Sequence, residues 1–296
     1  MIDRESTFAD PAVVDFLKTK TIPVAIDQWN QRRQKDSEGE FYRKIASQGP
    51  RHDFENGTTQ GLYLAAPDGT FLAYTNNRDP EKVLQTLTTA LAKYKPTETK
   101  RLVVEKIDKR YHLTPPEGGL VVRVCAKVMG GYDEPESHYQ QIFQTALSRD
   151  NLWITKDEQA SLIAGEFPQR LATRIAQFHL VDNTRGEGPM WKRAEVLSSR
   201  FNISGDTIIG SAEMKSLAGD RTYSACLRGK IVIKDGKVTQ LNMVADGMFS
   251  GEGQYTGGAP RAQFPLAVSF TLADGTDLAD SVPPQAARGW VDDYFR

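Results

Sequence analysis

Apolar and polar positions in the first third of the chain change their spacing several times. Asp10 and Pro11 are typical of a helix N-cap and a first helical position, and the apolar residues after them repeat at helical spacing. Residues 22–27, IPVAID, form a compact run rich in branched apolar side chains. A run of this length predicts a buried strand, which leads into the polar turn DQWNQRR.

A second helix, a hairpin and a third helix are predicted next. Ser37 and Glu40 have the spacing of a capping box, which predicts that a helix begins there. Residues 61–74, GLYLAAPDGTFLAY, are two apolar stretches joined by turn residues, the pattern of a β-hairpin. Asp79 and Pro80 then predict the start of another helix. The predicted order is therefore α, β, α, β, β, α.

The rest of the chain is predicted to be rich in strands. Residues 119–129 alternate between apolar and polar side chains, as in a half-buried strand. Thr155 and Glu158 have capping-box spacing, and apolar residues near Ile175 predict a further helix. Further strands joined by short turns are predicted at 206–214, 222–233, 237–245 and 264–272. This pattern favours a meander curled around a core.

The chain length favours two domains. Its 296 residues exceed the size typical of one domain. The short, polar, proline-bearing stretch KPTETK, residues 95–100, is a plausible linker. We therefore predict a boundary near residue 97, with one domain at 1–97 and a β-rich α+β domain, built on a curled antiparallel sheet, at 98–296.

The order of elements in residues 10–95 resembles the thioredoxin fold family. Matched by position, Trp29 stands where that family has the tryptophan before its Cys-x-x-Cys motif, and Asn30 and Arg33 stand where it has the two cysteines. The family's cis-proline has no counterpart before the hairpin, where Gln60 lies. The resemblance implies an α/β thioredoxin-like N-terminal domain that has lost its redox groups, similar to bacterial thioredoxin-like proteins that append a β-rich module of unknown role.

This resemblance implies a non-catalytic binding or scaffold protein. Thiol–disulfide exchange needs an attacking thiolate and a resolving thiol, and the matched positions supply neither. We expect no conventional oxidoreductase activity, no catalytic residue and no cofactor, and a protein or peptide partner at the thioredoxin-like surface. The alternatives are an enzyme, or a small-ligand carrier, with its site in the β-rich domain or the interdomain cleft.

The candidate binding residues are Trp29, Asn30, Arg32, Arg33 and Gln60. Backbone N–H groups at the start of a helix, together with the two arginines, could hold an anion or a partner's carboxylate. Tryptophan is also common at binding hot spots. The alternative interpretation is a solvated polar turn whose tryptophan belongs to the core.

The two cysteines, Cys125 and Cys226, lie in strands that carry nearby arginines and lysines. Neighbouring cations lower a thiol pKa and favour a reactive thiolate. If their strands were adjacent, the two residues could instead form a disulfide. The third interpretation, which we favour, is that both are small buried residues beneath helices.

Composition and charge argue against two classes of partner, nucleic acids and membranes. Thirty-seven Lys and Arg residues balance 38 Asp and Glu residues, which argues against nucleic acid as a partner. No apolar run is long enough to span a bilayer, so no membrane association is expected. The N-terminus lacks a secretory pattern, so we expect a cytoplasmic protein, or an envelope-exported one if a leader has been removed. The sequence does not indicate an oligomeric state.

No metal site is predicted either. The four histidines have no pair at metal-ligand spacing. Residues 132–139, YDEPESHY, come closest to a ligand cluster, and a solvated acidic loop is the preferred interpretation. Residues 246–258, DGMFSGEGQYTGG, are glycine-rich but precede no helix, so they predict a long hairpin or mobile flap rather than a nucleotide site.

Overall fold

The structure, a computed structural model, describes residues 6–96, 98 and 107–296. Its described residues divide into two compact units that fall within Asp3–Leu113 and Thr114–Arg296. Three of the six residues of the linker predicted at 95–100, residues 97, 99 and 100, lie outside the described residues. The division between the units falls later in the chain than residue 97.

The first unit combines helices with one small sheet. Its strands, β1 and β2, form a two-stranded antiparallel hairpin. Asp10 accepts hydrogen bonds from the N–H groups of Ala12 and Val13, as its predicted role as N-cap requires. The elements are α1 (Pro11–Lys20), α2 (Gln28–Gln31), α3 (Ser37–Ser47), β1 (Leu62–Ala65), β2 (Phe71–Thr75) and α4 (Pro80–Lys93).

The strand predicted for residues 22–27 is wrong. Residues 22–26 have no regular structure and are exposed, with Ile22 at 90%, Val24 at 74% and Ile26 at 42% of full exposure. Among the described residues of this unit, the only sheet is the β1–β2 hairpin, and it does not take in this segment. Strand propensity depends on a neighbouring strand to pair with, and this segment has no such neighbour among the described residues.

The start of α3 also differs from the prediction. Asp36, not Ser37, is the N-cap residue, and its carboxylate accepts the N–H of Gly39 at 3.0 Å. The predicted capping box of Ser37 and Glu40 is therefore wrong, because the N-cap lies one residue earlier and Gly39, at the third helical position, has no side chain to complete a box. Asp36 is the stronger cap because its carboxylate also accepts the Asp108 N–H at 2.8 Å.

The second unit is built on a seven-stranded antiparallel sheet that curls into a half-barrel. The strand order is β4-β3-β9-β8-β7-β6-β5. Asp235 and Gly236 both have positive φ and close the β7–β8 hairpin, as predicted. The strands are β3 (Leu120–Val128), β4 (Asp150–Ile154), β5 (Val196–Ser204), β6 (Thr207–Lys215), β7 (Thr222–Lys234), β8 (Lys237–Ser250) and β9 (Phe264–Leu272).

Helices and irregular segments complete the second unit. The Thr155–Glu158 capping box is present and begins α6, and a π-helical turn, Ile175–His179, continues α7. The sequence patterns did not predict β4, β5, α5 or α8. The helices are α5 (His138–Thr145), α6 (Lys156–Ile163), α7 (Gln169–Arg174) and α8 (Val291–Phe295).

Aromatic side chains pack together on the buried face of the sheet. The ring of Phe249 lies 5.5 Å from both Tyr223 and Phe264 and 6.0 Å from Trp191, measured between centroids. All four side chains are buried. Ring pairs at these distances stabilise a core beyond the area they bury. The sheet therefore encloses a packed aromatic cluster.

Candidate functional site

Of the predicted binding residues, Trp29, Arg32 and Arg33 meet at one place in the first unit. The guanidinium of Arg33 lies 3.5 Å from the centre of the Trp29 ring, and that of Arg32 lies 5.3 Å from it. Arg33 also donates to the Trp29 carbonyl at 3.0 Å. Burial, and then the neighbouring Arg32 charge, lower the pKa of Arg33. We call Trp29, Arg32 and Arg33 the tryptophan–arginine cluster.

The start of α2 is already occupied by a carboxylate. Asp27 is the N-cap and accepts the Trp29 N–H at 2.9 Å. Arg32 donates to the Gly57 carbonyl, and Asn30 is buried. Because Asp27 already fills the helix start, the geometry offers less to a bound anion there than the sequence suggested, whereas the aromatic and guanidinium surface is in place.

The loop that contains Gln60 is tied to α2. The Thr59 hydroxyl donates to Gln28 Oε1 at 2.9 Å, and the Tyr42 hydroxyl donates to Thr59 Oγ1 at 2.6 Å. Gln60 itself is exposed, and its carbonyl accepts the Tyr74 hydroxyl at 2.7 Å. These bonds connect the loop at Thr59 and Gln60 to α2, α3 and the hairpin. Helix α2, which carries Trp29, is therefore tied through Gln28 to this loop.

The two cysteines lie on the outer face of the sheet in the second unit. Cys125 is in β3 and half-buried, and Cys226 is in β7 and exposed. Strands β9 and β8 lie between them, which places them at least about 14 Å apart at the usual strand spacing. The disulfide interpretation is wrong for this reason. The interpretation as a buried residue is wrong for Cys226.

A buried polar triad, which the sequence patterns did not indicate, joins three distant parts of the second unit. His179 Nδ1 lies 3.2 Å from Asp150 Oδ2, and His179 Nε2 lies 2.9 Å from the Tyr294 hydroxyl. The Trp153 N–H donates to the same hydroxyl at 3.2 Å. Burial raises the pKa of Tyr294 far above its ordinary range. We call Asp150, His179 and Tyr294 the buried triad.

A buried ion pair lies beside the triad. Arg174 donates to both carboxylate oxygens of Glu158, at 2.6 Å and 2.9 Å. Burial alone would raise the pKa of Glu158, but the hydrogen bonds and charge of Arg174 outweigh it and lower that pKa. Arg174 also donates to the Tyr294 carbonyl at 2.9 Å. The guanidinium therefore joins α6 and α7 to α8.

A second buried arginine anchors the glycine-rich stretch. Arg185 donates to Asp182, to the Thr256 carbonyl at 3.1 Å and to the Tyr132 hydroxyl at 2.5 Å. A side chain on Gly186 would meet the Tyr255 carbonyl at 2.0 Å, so the two backbones touch there. Residues 251–258 are thus fastened to a buried loop, which argues against a mobile flap.

Sequence spacing could not reveal these buried groups. The members of the triad are separated by 29 and 115 residues, so no local motif joins them. In the described part of the chain, no group of three His, Cys, Asp or Glu side chains could hold a metal ion, and this includes residues 133–138.

No family model, no curated protein and no solved structure matches this chain. Across residues 6–96, 98 and 107–296, no helix combines the length and the apolar character needed to cross a bilayer. The chemistry of the chain's own residues is therefore the basis for a functional proposal.

Proposed function

We propose that this chain is a non-catalytic thioredoxin-like binding or scaffold protein whose first unit serves as the platform. The observation that carries the proposal is the chemistry at the matched cysteine positions. Asn30 is buried, Arg33 is stacked on Trp29, and both cysteines of the chain lie in the second unit. Dithiol exchange in the first unit has no thiol to proceed through.

The tryptophan–arginine cluster is the contact surface of this platform. Tryptophan and arginine are the residue types most enriched at binding hot spots. Arg33 is held over the Trp29 ring by its hydrogen bond to the Trp29 carbonyl, so less conformational freedom is lost when a partner binds. A guanidinium on an aromatic face presents charge and apolar area together.

The first test is catalytic. In an insulin-reduction assay with dithiothreitol, the purified chain should give no turnover above the uncatalysed rate. Turnover would overturn the proposal, and a Cys125→Ser, Cys226→Ser double variant would show whether the second unit supplied it.

The second test is binding. Peptides selected from a displayed random library on the whole chain should bind about tenfold more weakly to Trp29→Ala and Arg33→Gln variants. The matched control is Trp290→Ala, which removes a half-exposed tryptophan of the second unit. Equal losses in all three variants, or in none, would contradict a platform at the tryptophan–arginine cluster.

An enzyme with its site in the second unit is the alternative. The exposed thiol of Cys226 favours it, because a nucleophile must reach its substrate. The buried triad has acid–base residue types, but Tyr294 is only 1% exposed. The buried, mutually packed rings of the aromatic cluster argue against a small-ligand carrier, which needs an open apolar cavity.

A further inference from the structure

Five consecutive apolar residues, IPVAI at 22–26, are exposed on the first unit. Ile22 is 90% exposed, more than almost any other large apolar side chain of the described residues. Single exposed apolar residues are common in proteins, whereas a contiguous apolar surface is typical of an interaction site. The segment runs directly into α2, which carries the tryptophan–arginine cluster.

The backbone of this segment pairs with no other described part of the chain. No backbone–backbone hydrogen bond between described residues uses the N–H or C=O groups of residues 22–26. Thr21 and Asp27, which bracket the segment, both have extended backbone conformations. Branched residues favour strands, and Pro23 is compatible with an edge position. The segment therefore has the composition and flanking geometry of a strand without a neighbour.

The charged residues that flank the segment along the chain are mainly positive. Lys18 and Lys20 are exposed in the last turn of α1, just before it, and contact no carboxylate among the described residues. Arg32 and Arg33 follow it on the other side. The one acid between them, Asp27, is engaged as the cap of α2. A partner with apolar side chains and acidic ends would complement this surface.

We propose that residues 22–26 pair with an extended peptide segment of a partner protein, one with alternating apolar residues and acidic flanks. This inference rests on the proposed function and specifies the partner. Added strands gain affinity from main-chain hydrogen bonds and specificity from alternate side chains. Pairing would give the predicted strand the neighbour that it lacks among the described residues of the first unit.

A peptide fits this surface better than a second copy of the chain. Five residues of strand span about 17 Å. Pairing over that length buries a few hundred Å², below the roughly 1,200 Å² at which specific interfaces between folded proteins begin. Pro23 also interrupts any long continuous ladder. The short, interrupted strand suits a short, flexible partner segment.

The competing surface in the same unit is an open groove. It has a volume of about 480 Å³ and lies between Phe71–Ala73 of β2 and the α4 residues Gln85, Thr86, Thr89, Ala90 and Lys93. The groove is lined by about as many polar as apolar residues. Within the described residues, β2 also has an edge that pairs with no other strand. A test must therefore separate the segment from the groove.

The probe is the synthetic peptide acetyl-Glu-Glu-Thr-Val-Thr-Val-Thr-Glu-Glu-amide, measured with the whole chain by isothermal titration calorimetry. We expect a Kd on the order of 100 µM, and binding about tenfold weaker for Val24→Asp and Ile22→Asp variants. Both side chains are exposed, so these variants keep the fold. The matched control is Thr89→Asp in the groove, which should bind like wild type.

Two further measurements test the role of charge and the position of the bound peptide. The same peptide with lysine in place of each glutamate should bind about tenfold more weakly, because the surrounding charge is positive. Hydrogen exchange should slow at the amides of residues 22 and 24–26 when the glutamate peptide is present.

Several outcomes would overturn the inference. They are absence of binding, loss of binding in Thr89→Asp but not in Val24→Asp, equal binding of the two peptides, or a dimer of the bare chain that Val24→Asp dissolves. Each leaves the proposed function standing if library-selected peptides still depend on Trp29. Turnover in the insulin assay would remove the proposed function instead.

Discussion

The side chains of His179 and Tyr294 meet inside the second unit, with His179 Nε2 2.9 Å from the tyrosine hydroxyl. Tyr294 belongs to α8, close to the end of the chain, and its ring lies 5.6 Å from that of Phe178. Asp150 completes the contact on the other side of the imidazole and also accepts the Gln285 N–H at 3.1 Å. The C-terminal segment is thereby held against β4, which is an edge strand of the sheet.

The hydroxyl of Tyr294 should therefore stabilise the second unit. A Tyr294→Phe variant keeps the ring but leaves the Trp153 N–H and the histidine without their buried partner. We expect the free energy of unfolding to fall by about 1–3 kcal/mol, measured by urea denaturation. Tyr255→Phe, at an exposed tyrosine, is the control and should change it by less than about 0.5 kcal/mol.

Hydrogen exchange should show that the loss of stability in Tyr294→Phe is centred on α8. Amides of Val291–Phe295 should exchange faster in Tyr294→Phe, because α8 loses one of its ties to the sheet. Unchanged exchange in α8, together with unchanged stability, would show that the hydroxyl does not hold the segment.

The Glu158–Arg174 pair predicts a pH dependence. The pKa of Glu158 is lowered in the folded unit from its ordinary value of 4.5, so its contribution to stability is present above that pH and is lost as the pH falls through the lowered pKa. At neutral pH, Glu158→Gln should destabilise the unit by about 3 kcal/mol, because it leaves a buried charge on Arg174. The difference in the free energy of unfolding between wild type and Glu158→Gln should become smaller below pH 4.5.

Glu166→Gln is the matched control for this series, since Glu166 is an exposed glutamate close by in the chain. Denaturation curves collected from pH 7 to pH 3 would test the prediction directly. A gap between wild type and Glu158→Gln that stays constant over this range would contradict it.

Mutations can distinguish Asp36, the N-cap in the structure, from Ser37, the N-cap predicted from the sequence. Asp36 accepts three hydrogen bonds from Gly39, Gln34 and Asp108. Burial alone would raise its pKa, but these bonds outweigh that effect and lower it. Asp36→Ala should cost at least about 1 kcal/mol of stability in the first unit, and Ser37→Ala only a few tenths. Equal losses in denaturation experiments would favour the original assignment.

Elements with a strong local signal were predictable from sequence. The hairpin at 62–75, α4 with its Asp79 cap, β3 and the Thr155 capping box all follow from periodicity or turn chemistry within a few residues. The strand prediction for residues 22–27 was wrong because a strand needs a neighbouring strand to pair with. The pattern of one segment does not show whether such a neighbour exists. The shift from Ser37 to Asp36 reflects a distant contact with Asp108.

The candidate sites likewise divide into those built from residues close in sequence, which were predictable, and those assembled from distant residues, which were not. Trp29, Arg32 and Arg33 are close in sequence, so a local pattern was enough to group them. The buried triad brings together residues from β4, the π-helical turn and α8, and two of these elements were not predicted. Groups assembled by the tertiary fold leave no spacing in a single sequence for a motif search to find.

The two thiols should react at different rates in the native protein. Cys226 is exposed on the outer face of β7, whereas Cys125 is half-buried on β3. Alkylation rate follows access of the thiolate to the reagent, so iodoacetamide should modify Cys226 several times faster than Cys125. Intact mass over time, followed by peptide mapping, measures both rates in one experiment.

The control for this prediction is Cys226→Ser, in which the fast phase should disappear while the slow phase remains. Reducing and non-reducing peptide maps of untreated protein should agree, because two strands separate the residues and a disulfide requires Cα atoms within about 7 Å. Two slow thiols that react only in denaturant would mean that the outer face of the sheet is covered in solution. That result would also remove the observation that favours an enzyme built on Cys226.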